Sequence, residues 1–288
     1  MIENLVFYNH WQNGDIHVSR EFVRFFVDNV KAKNYIYVNH KSPELLKDIT
    51  KLKVESAGIE YLDNDSPFMW NLHTRTLCLN TWYGVSPVFK NTATLYHLFN
   101  GHLNKIFNTT INPLKLNDFI PTVDYSYFKI ENIKEYLENN ERKKVLICNG
   151  SVVSKQSKNF SFNNIVDQIA KTRPDVDFIM TEKFICNAKN VLFTDDIILK
   201  NGSDLNEISY LSIHCDSIIG RSSGPYIYSM VKENLLDSNK TFLCFSDDES
   251  IAWWSNDRTM FDCKTVWSND YSENNIANKI LESIKESK

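Results

Sequence analysis

The strongest constraint on how this chain folds is an alternation of strand-like and helix-like segments that occurs twice. In the first half LVFYNH (5–10), the amphipathic REFVRFFVDNVKAK (20–33), YIYVNH (35–40) and SPELLKDIT (42–50) follow one another. Aromatic and β-branched runs separated by helical periods predict βαβ units and a parallel sheet. An acidic loop around Asp63 and Asp65, a strand over 74–82 and a helix over 93–107 complete this half. Poor periodicity and two prolines in the stretch between Asn108 and Ile130 mark a junction. The alternation then restarts, with strands over 143–150, 175–182, 190–198, 215–220 and 241–247, and helices over 162–172, 204–214, 224–234 and 274–288. The 288 residues suit two domains of roughly 130–150 residues each. The expectation is therefore α/β, with two Rossmann-like domains facing a cleft, spanning 1–125 and 126–288.

Composition narrows the partners. A net charge of −4, with Lys and Arg scattered, gives no basic stripe for a phosphate backbone, so nucleic acid is not expected. No apolar run approaches the ~20 residues a spanning helix needs, and the first residues, MIENLVFYNH, carry no export signal. A cytoplasmic protein with at most peripheral membrane contact is expected. Six dispersed cysteines without a CxxC spacing read as buried reduced thiols. His10, His40, His73, His97 and His102 form no metal-ligand pattern, and the acidic pairs Asp195-Asp196 and Asp247-Asp248 read as solvated turns. Neither a metal nor a resident cofactor is expected.

Three loops could carry chemistry. CDSIIGRSSGPYIYSMVKE (215–233) sends a strand into a small-residue turn, Arg221-Ser222-Ser223-Gly224, with Pro225 at the start of the next helix. Backbone N–H groups, hydroxyls and an arginine at a helix start favour an anion; the alternative is a capped turn without ligand. NGSVVSKQSKNF (149–160) follows the first strand of the second half and brings Asn149, Gly150, Ser151, Lys155 and Lys158 to the same carboxyl edge. Its lysines would neutralise a diphosphate or simply face solvent. WQNGDIHVSREF (11–22) lacks GxGxxG but offers Asp15 and His17 beside a helix start. Asp15 is either a proton acceptor or a helix cap, and His17 is the second candidate base.

Taken together, Gly14-Asp15-Ile16-His17, Asn149-Gly150-Ser151 with Lys155 and Lys158, and the strand Cys215–Gly220 leading into Ser222-Ser223-Gly224 resemble the GT-B lipopolysaccharide heptosyltransferases of glycosyltransferase family 9. The resemblance implies Asp15 as general base, Lys155 or Lys158 on the donor phosphates, and Ser222, Ser223 and Gly224 around the diphosphate. Ser-Ser-Gly stands where the family usually has Asp-Thr-Gly with a nearby His, and Tyr226 follows. It further implies a last helix packing back on the N-terminal domain. The expected activity is inverting, metal-independent transfer from a nucleotide-sugar donor to a glycan or glycolipid acceptor, with Arg221 and a lysine stabilising the leaving diphosphate. Two alternatives remain: a 2-epimerase-like enzyme using the same phosphate turn, and a non-enzymatic two-lobed binding protein.

Overall fold

The computed structural model describes residues 2–9, 11–56, 66, 68–82, 96, 99–101, 104, 115–153, 155–199, 202–253 and 260–284. The chain divides into two units, Met1–Tyr127 and Phe128–Lys288.

In the first unit, strand β1 (Ile2–Tyr8) leads into helices α1 (Asn13–Val18) and α2 (Arg20–Asn29), then β2 (Ala32–Asn39), a 3-10 turn Pro43–Leu46, β3 (Leu52–Ser56), β4 (Phe68–Asn71) and β5 (Thr76–Asn80). The sheet order is β3-β2-β1-β5-β4. Only β4 runs antiparallel, against β5. Phe22, Val23, Phe26 and Val27 of α2 recur at helical spacing and are buried. Phe22 meets Phe7 of β1 edge-on, with ring centroids 6.4 Å apart. The helical period expected over 20–33 stops earlier because the Tyr35 hydroxyl donates to the Val30 carbonyl (2.8 Å) and accepts from the Ala32 N–H (3.2 Å). The chain thus turns into β2 at Ala32.

The helix expected over 42–50 contracts to the single 3-10 turn, because Asp48 and the Leu45 carbonyl are recruited by the fully buried Arg20 guanidinium. The helix expected over 93–107 and the acidic loop at Asp63 and Asp65 lie mostly or wholly outside the described residues. Residues 115–127 join this unit for a definite reason. Glu21 accepts from the Thr122 N–H (2.8 Å) and hydroxyl (2.7 Å), and Arg24 donates to the Thr122 carbonyl (3.0 Å).

The second unit runs α3 (Glu131–Glu138), β6 (Lys143–Cys148), α4 (Asn163–Thr172), β7 (Val176–Met180), β8 (Val191–Phe193), α5 (Thr194–Ile197), α6 (Leu205–Ile213) and β9 (Ser217–Arg221). It continues with α7 (Gly224–Tyr228), α8 (Lys232–Leu235), β10 (Thr241–Phe245), β11 (Lys264–Ser268) and α9 (Glu273–Ser283). Its six strands are all parallel, in the order β11-β10-β9-β6-β7-β8. Counted from β6, this is the 3-2-1-4-5-6 order of a dinucleotide-type Rossmann sheet. The runs VDFIM, SIIGR and TFLCF are buried throughout, as strands covered on both faces must be. Val145, Ile147, Phe178, Met180, Leu243 and Phe245 form one core with Val166 and Ile169 of α4 and Ile276 and Ile280 of α9.

Two expected elements divide. The strand over 190–198 is β8 alone, after which Thr194–Ile197 coil into α5. The helix over 224–234 breaks at Ser229, whose hydroxyl donates to the Pro225 carbonyl (2.9 Å) while its own carbonyl takes the Asn234 amide (2.8 Å). All six cysteines are free thiols, and all but Cys186 are buried. Among the described residues no helix is long and apolar enough to cross a membrane.

Candidate functional site

Open parallel sheets bind ligands at the carboxyl ends of their strands, where the chain reverses its direction of progress across the sheet. In the second unit that switch point lies between β6 and β9. The described residues 149–153 and 155–161 follow β6, and the turn after β9 is Ser222-Ser223.

Arg221 is the last residue of β9 and is 1% exposed. Its Nε donates to the Lys158 carbonyl (3.2 Å), its Nη1 to those of Asn149 (3.0 Å) and Gly150 (2.6 Å), and its Nη2 to that of Phe160. The guanidinium also lies over the rings of Phe160 and Phe162, 4.6 and 5.0 Å from their centroids. Burial pulls its pKa down, and the ring of carbonyls accounts for a cation in that position. This corrects the expected role: Arg221 shapes the loop that carries Lys155 and Lys158 rather than meeting a phosphate itself. Both lysines are exposed, with Lys158 Nζ 5.3 Å from the Tyr271 ring centroid. Lys155 has φ 56°, a left-handed conformation unusual for a long side chain.

The other expected donor contacts separate into two groups. Asn149 is occupied internally: its amide donates to the Glu182 carbonyl (2.9 Å), and its Oδ1 accepts from the Glu182 N–H (2.8 Å) and Thr181 hydroxyl (3.2 Å). A Cβ on Gly150 would stand 2.7 Å from Glu182 Oε1. Tyr226 is also a correction, since it is fully buried, edge-on to Phe242 and beside Trp253. Ser151 is exposed, and Ser222, Ser223 and Gly224 are partly exposed.

The turn is a leaner anion cradle than the sequence implies. The Ser223 N–H folds back onto the Arg221 carbonyl (2.7 Å), Pro225 has no N–H, and α7 is only five residues long. The N–H groups of Ser222 and Gly224 take no partner among the described residues, and the buried Ser223 hydroxyl takes none either.

The corresponding switch point of the first unit lies between β1 and β5. Asp15 is the third residue of α1, and its Oδ2 accepts from the Gln12 N–H at 3.1 Å. Cap and candidate base are thus the same carboxylate. Desolvation dominates the hydrogen bonds and pushes its pKa up to about 6. His17 is 0% exposed, so its ring is packed inside the unit and presents no surface to a substrate, which corrects its reading as the second base.

A feature not anticipated from the sequence surrounds this loop. A buried asparagine stands at the end of each of the neighbouring strands β2 and β5 and just past the end of β1, and its Oδ1 accepts the N–H two residues on: Asn39 from Lys41 (2.6 Å), Asn9 from Trp11 (2.9 Å) and Asn80 from Trp82 (2.9 Å). Trp11 and Trp82 meet with centroids 4.6 Å apart at 39°. The signal was present in the sequence as Asn-His-Trp, Asn-His-Lys and Asn-Thr-Trp at three strand ends. Among the described residues no cluster of His, Cys, Asp and Glu is placed to hold a metal ion.

No model of a known protein family matches the sequence, and no curated protein does. Solved structures do match in fold. A glycosyl transferase family 9 structure from Veillonella parvula superposes with a TM-score of 0.53 at 10% identity, over 99% of this chain and 90% of its own. The E. coli heptosyltransferase WaaC with ADP gives 0.54 at 7% identity, over 97% of this chain and 99% of its own. The same enzyme with ADP-2-deoxy-2-fluoro heptose gives 0.53 at 6% identity over the same shares. The chain therefore has the α/β architecture of GT-B glycosyltransferases, with two sheets that are parallel except at β4.

Proposed function

We propose that this chain is a glycosyltransferase that moves a sugar from a nucleoside diphosphate to a hydroxyl of a glycan or glycolipid, inverting the anomeric centre without a metal ion. The observation that carries the reading is Asp15: a carboxylate at a switch point whose pKa, about 6, makes it both ionised and usefully basic near neutrality. It would take the proton of the acceptor hydroxyl as that oxygen attacks the anomeric carbon and the bond to the diphosphate breaks. The leaving diphosphate belongs to the second unit. There the N–H groups of Ser222 and Gly224, the Ser223 hydroxyl, and Lys155 and Lys158 on the loop held by Arg221 supply donors and positive charge. The WaaC structures that share the fold hold ADP and an ADP-linked sugar, which supports a nucleoside diphosphate as the donor's handle.

The test is a thermal-shift panel of ADP, UDP, GDP and CMP with the full chain. A ligand that binds only the folded state raises the melting temperature by mass action, so at least one diphosphate should give a concentration-dependent rise. Flat responses throughout the panel would remove the donor and with it the transferase.

A further inference from the structure

The tryptophan pair of the first unit has no part in the reaction as described so far. Trp11 is 40% exposed. Trp82 is partly exposed. An indole partly exposed at the ligand edge of an open sheet offers an apolar face to a bound ring. Here the backbone holds them in place: each follows its strand by a short turn closed on a buried asparagine, so both sites are fixed relative to the sheet. They come from β1 and β5, adjacent parallel strands on either side of the unit's switch point, where an open α/β sheet takes its ligand. Trp11 also directly precedes Gln12, the residue whose N–H holds the Asp15 carboxylate.

We infer that Trp11, backed by Trp82, forms a stacking platform for a pyranose ring of the acceptor, setting that ring's apolar C–H face on the outer face of the Trp11 indole so that a hydroxyl of that ring, or of the next, reaches Asp15. A pyranose presents axial C–H groups on one face and hydroxyls around its rim. An indole surface therefore buries the first and leaves the second to polar neighbours, at reduced entropic cost because the turns and the contact between the two rings already restrict the side chains. Lys41, displayed by the third asparagine turn on β2, stands on the same edge and would favour an acceptor carrying an acidic substituent. The substrate class is thus a pyranose-containing glycan. This rests on the transferase reading, because it names the acceptor subsite of that reaction.

The experiment applies the labelled full chain, wild type, Trp11→Ala and Trp11→Phe, to a printed array of pyranose-terminated neutral and acidic glycans, with a diphosphate thermal shift run on each protein. Wild type should bind a subset of the glycans. Trp11→Ala should lose on the order of tenfold in affinity for that subset, Trp11→Phe should retain most of it, and the diphosphate shift should be the same in all three. Equal glycan binding by wild type and Trp11→Ala would overturn the platform, as would an array silent to a wild type that still responds to a diphosphate. Silence toward diphosphates with glycan binding intact would instead overturn the transferase and leave the platform standing.

Discussion

At the residue scale the decisive group is Asp15, and its environment makes two predictions of opposite sign. Its folded pKa of about 6 lies above the ordinary 3.8, so between those values the folded state holds a proton that the unfolded chain has lost. Stability should therefore fall as pH rises from about 4 to 6, and the cost should be fully present above that window. Asp15→Asn, which never ionises, should accordingly be the more stable protein at pH 8 and lose that advantage at pH 4, as read by urea denaturation at the two pH values. Activity should move the other way. A base must be deprotonated to act, so wild-type kcat/KM should climb with an inflection near pH 6. The Asn variant should lose on the order of 10²–10⁴-fold in kcat with diphosphate affinity unchanged. A stable variant with full activity would leave Asp15 as a helix cap. Much of this was legible in the sequence, since Gly14-Asp15 beside a helix start was enough to single out the carboxylate. The burial of His17 was not legible, because two positions along a six-residue helix turn a side chain from the open edge to the sheet. Arg221 escaped in the same way. An arginine at a strand's end beside two serines suggests a phosphate, and only the folded loop shows four carbonyls competing for its donors.

At the element scale, periodicity located the strands well because buried parallel strands are continuous apolar runs, as in VLIC and TFLCF. It overextended helices wherever a tertiary hydrogen bond ended them. The Arg20 guanidinium on the Leu45 carbonyl is such a bond, and no local pattern announces it. Strands β3, β4 and β11 were missed, being short and flanked by irregular chain. The strand-turn-helix from β9 to α7 contains two glycines whose roles can be told apart. A Cβ on Gly220 would lie 2.7 Å from the Cys148 Cβ and 3.1 Å from its carbonyl oxygen, so this glycine lets β9 pack beside β6. Gly220→Ala should destabilise by roughly 1–3 kcal/mol, the usual cost of overpacking. A Cβ on Gly224 meets only the Leu205 side chain, at 3.6 Å, an ordinary contact. Gly224→Ala should thus unfold like wild type in urea and yet bind the diphosphate more weakly if the phosphates approach that backbone closely. Unchanged affinity in the folded variant would move the phosphate site away from this turn.

At the scale of the whole molecule, the two units use one device for different ends. In each, the candidate site residues stand at the switch point of a largely parallel sheet beside turns or loops anchored by buried polar side chains. Asparagines do this in the first unit and Arg221 in the second. If the diphosphate belongs to the second unit alone, hydrogen exchange on the full chain should show it. Fixing phosphates at Ser222–Gly224 should restrain the end of β9, and through the bonds of Arg221 to Asn149, Gly150, Lys158 and Phe160 it should restrain the loop after β6. Saturating diphosphate should therefore slow exchange at residues 149–160 and 222–228 together, with no change across α1 and α2. Slowing at 222–228 alone would mean that Arg221 does not couple the two segments. Slowing confined to α1 would place the diphosphate beside Asp15 and reverse the assignment of donor and acceptor between the units.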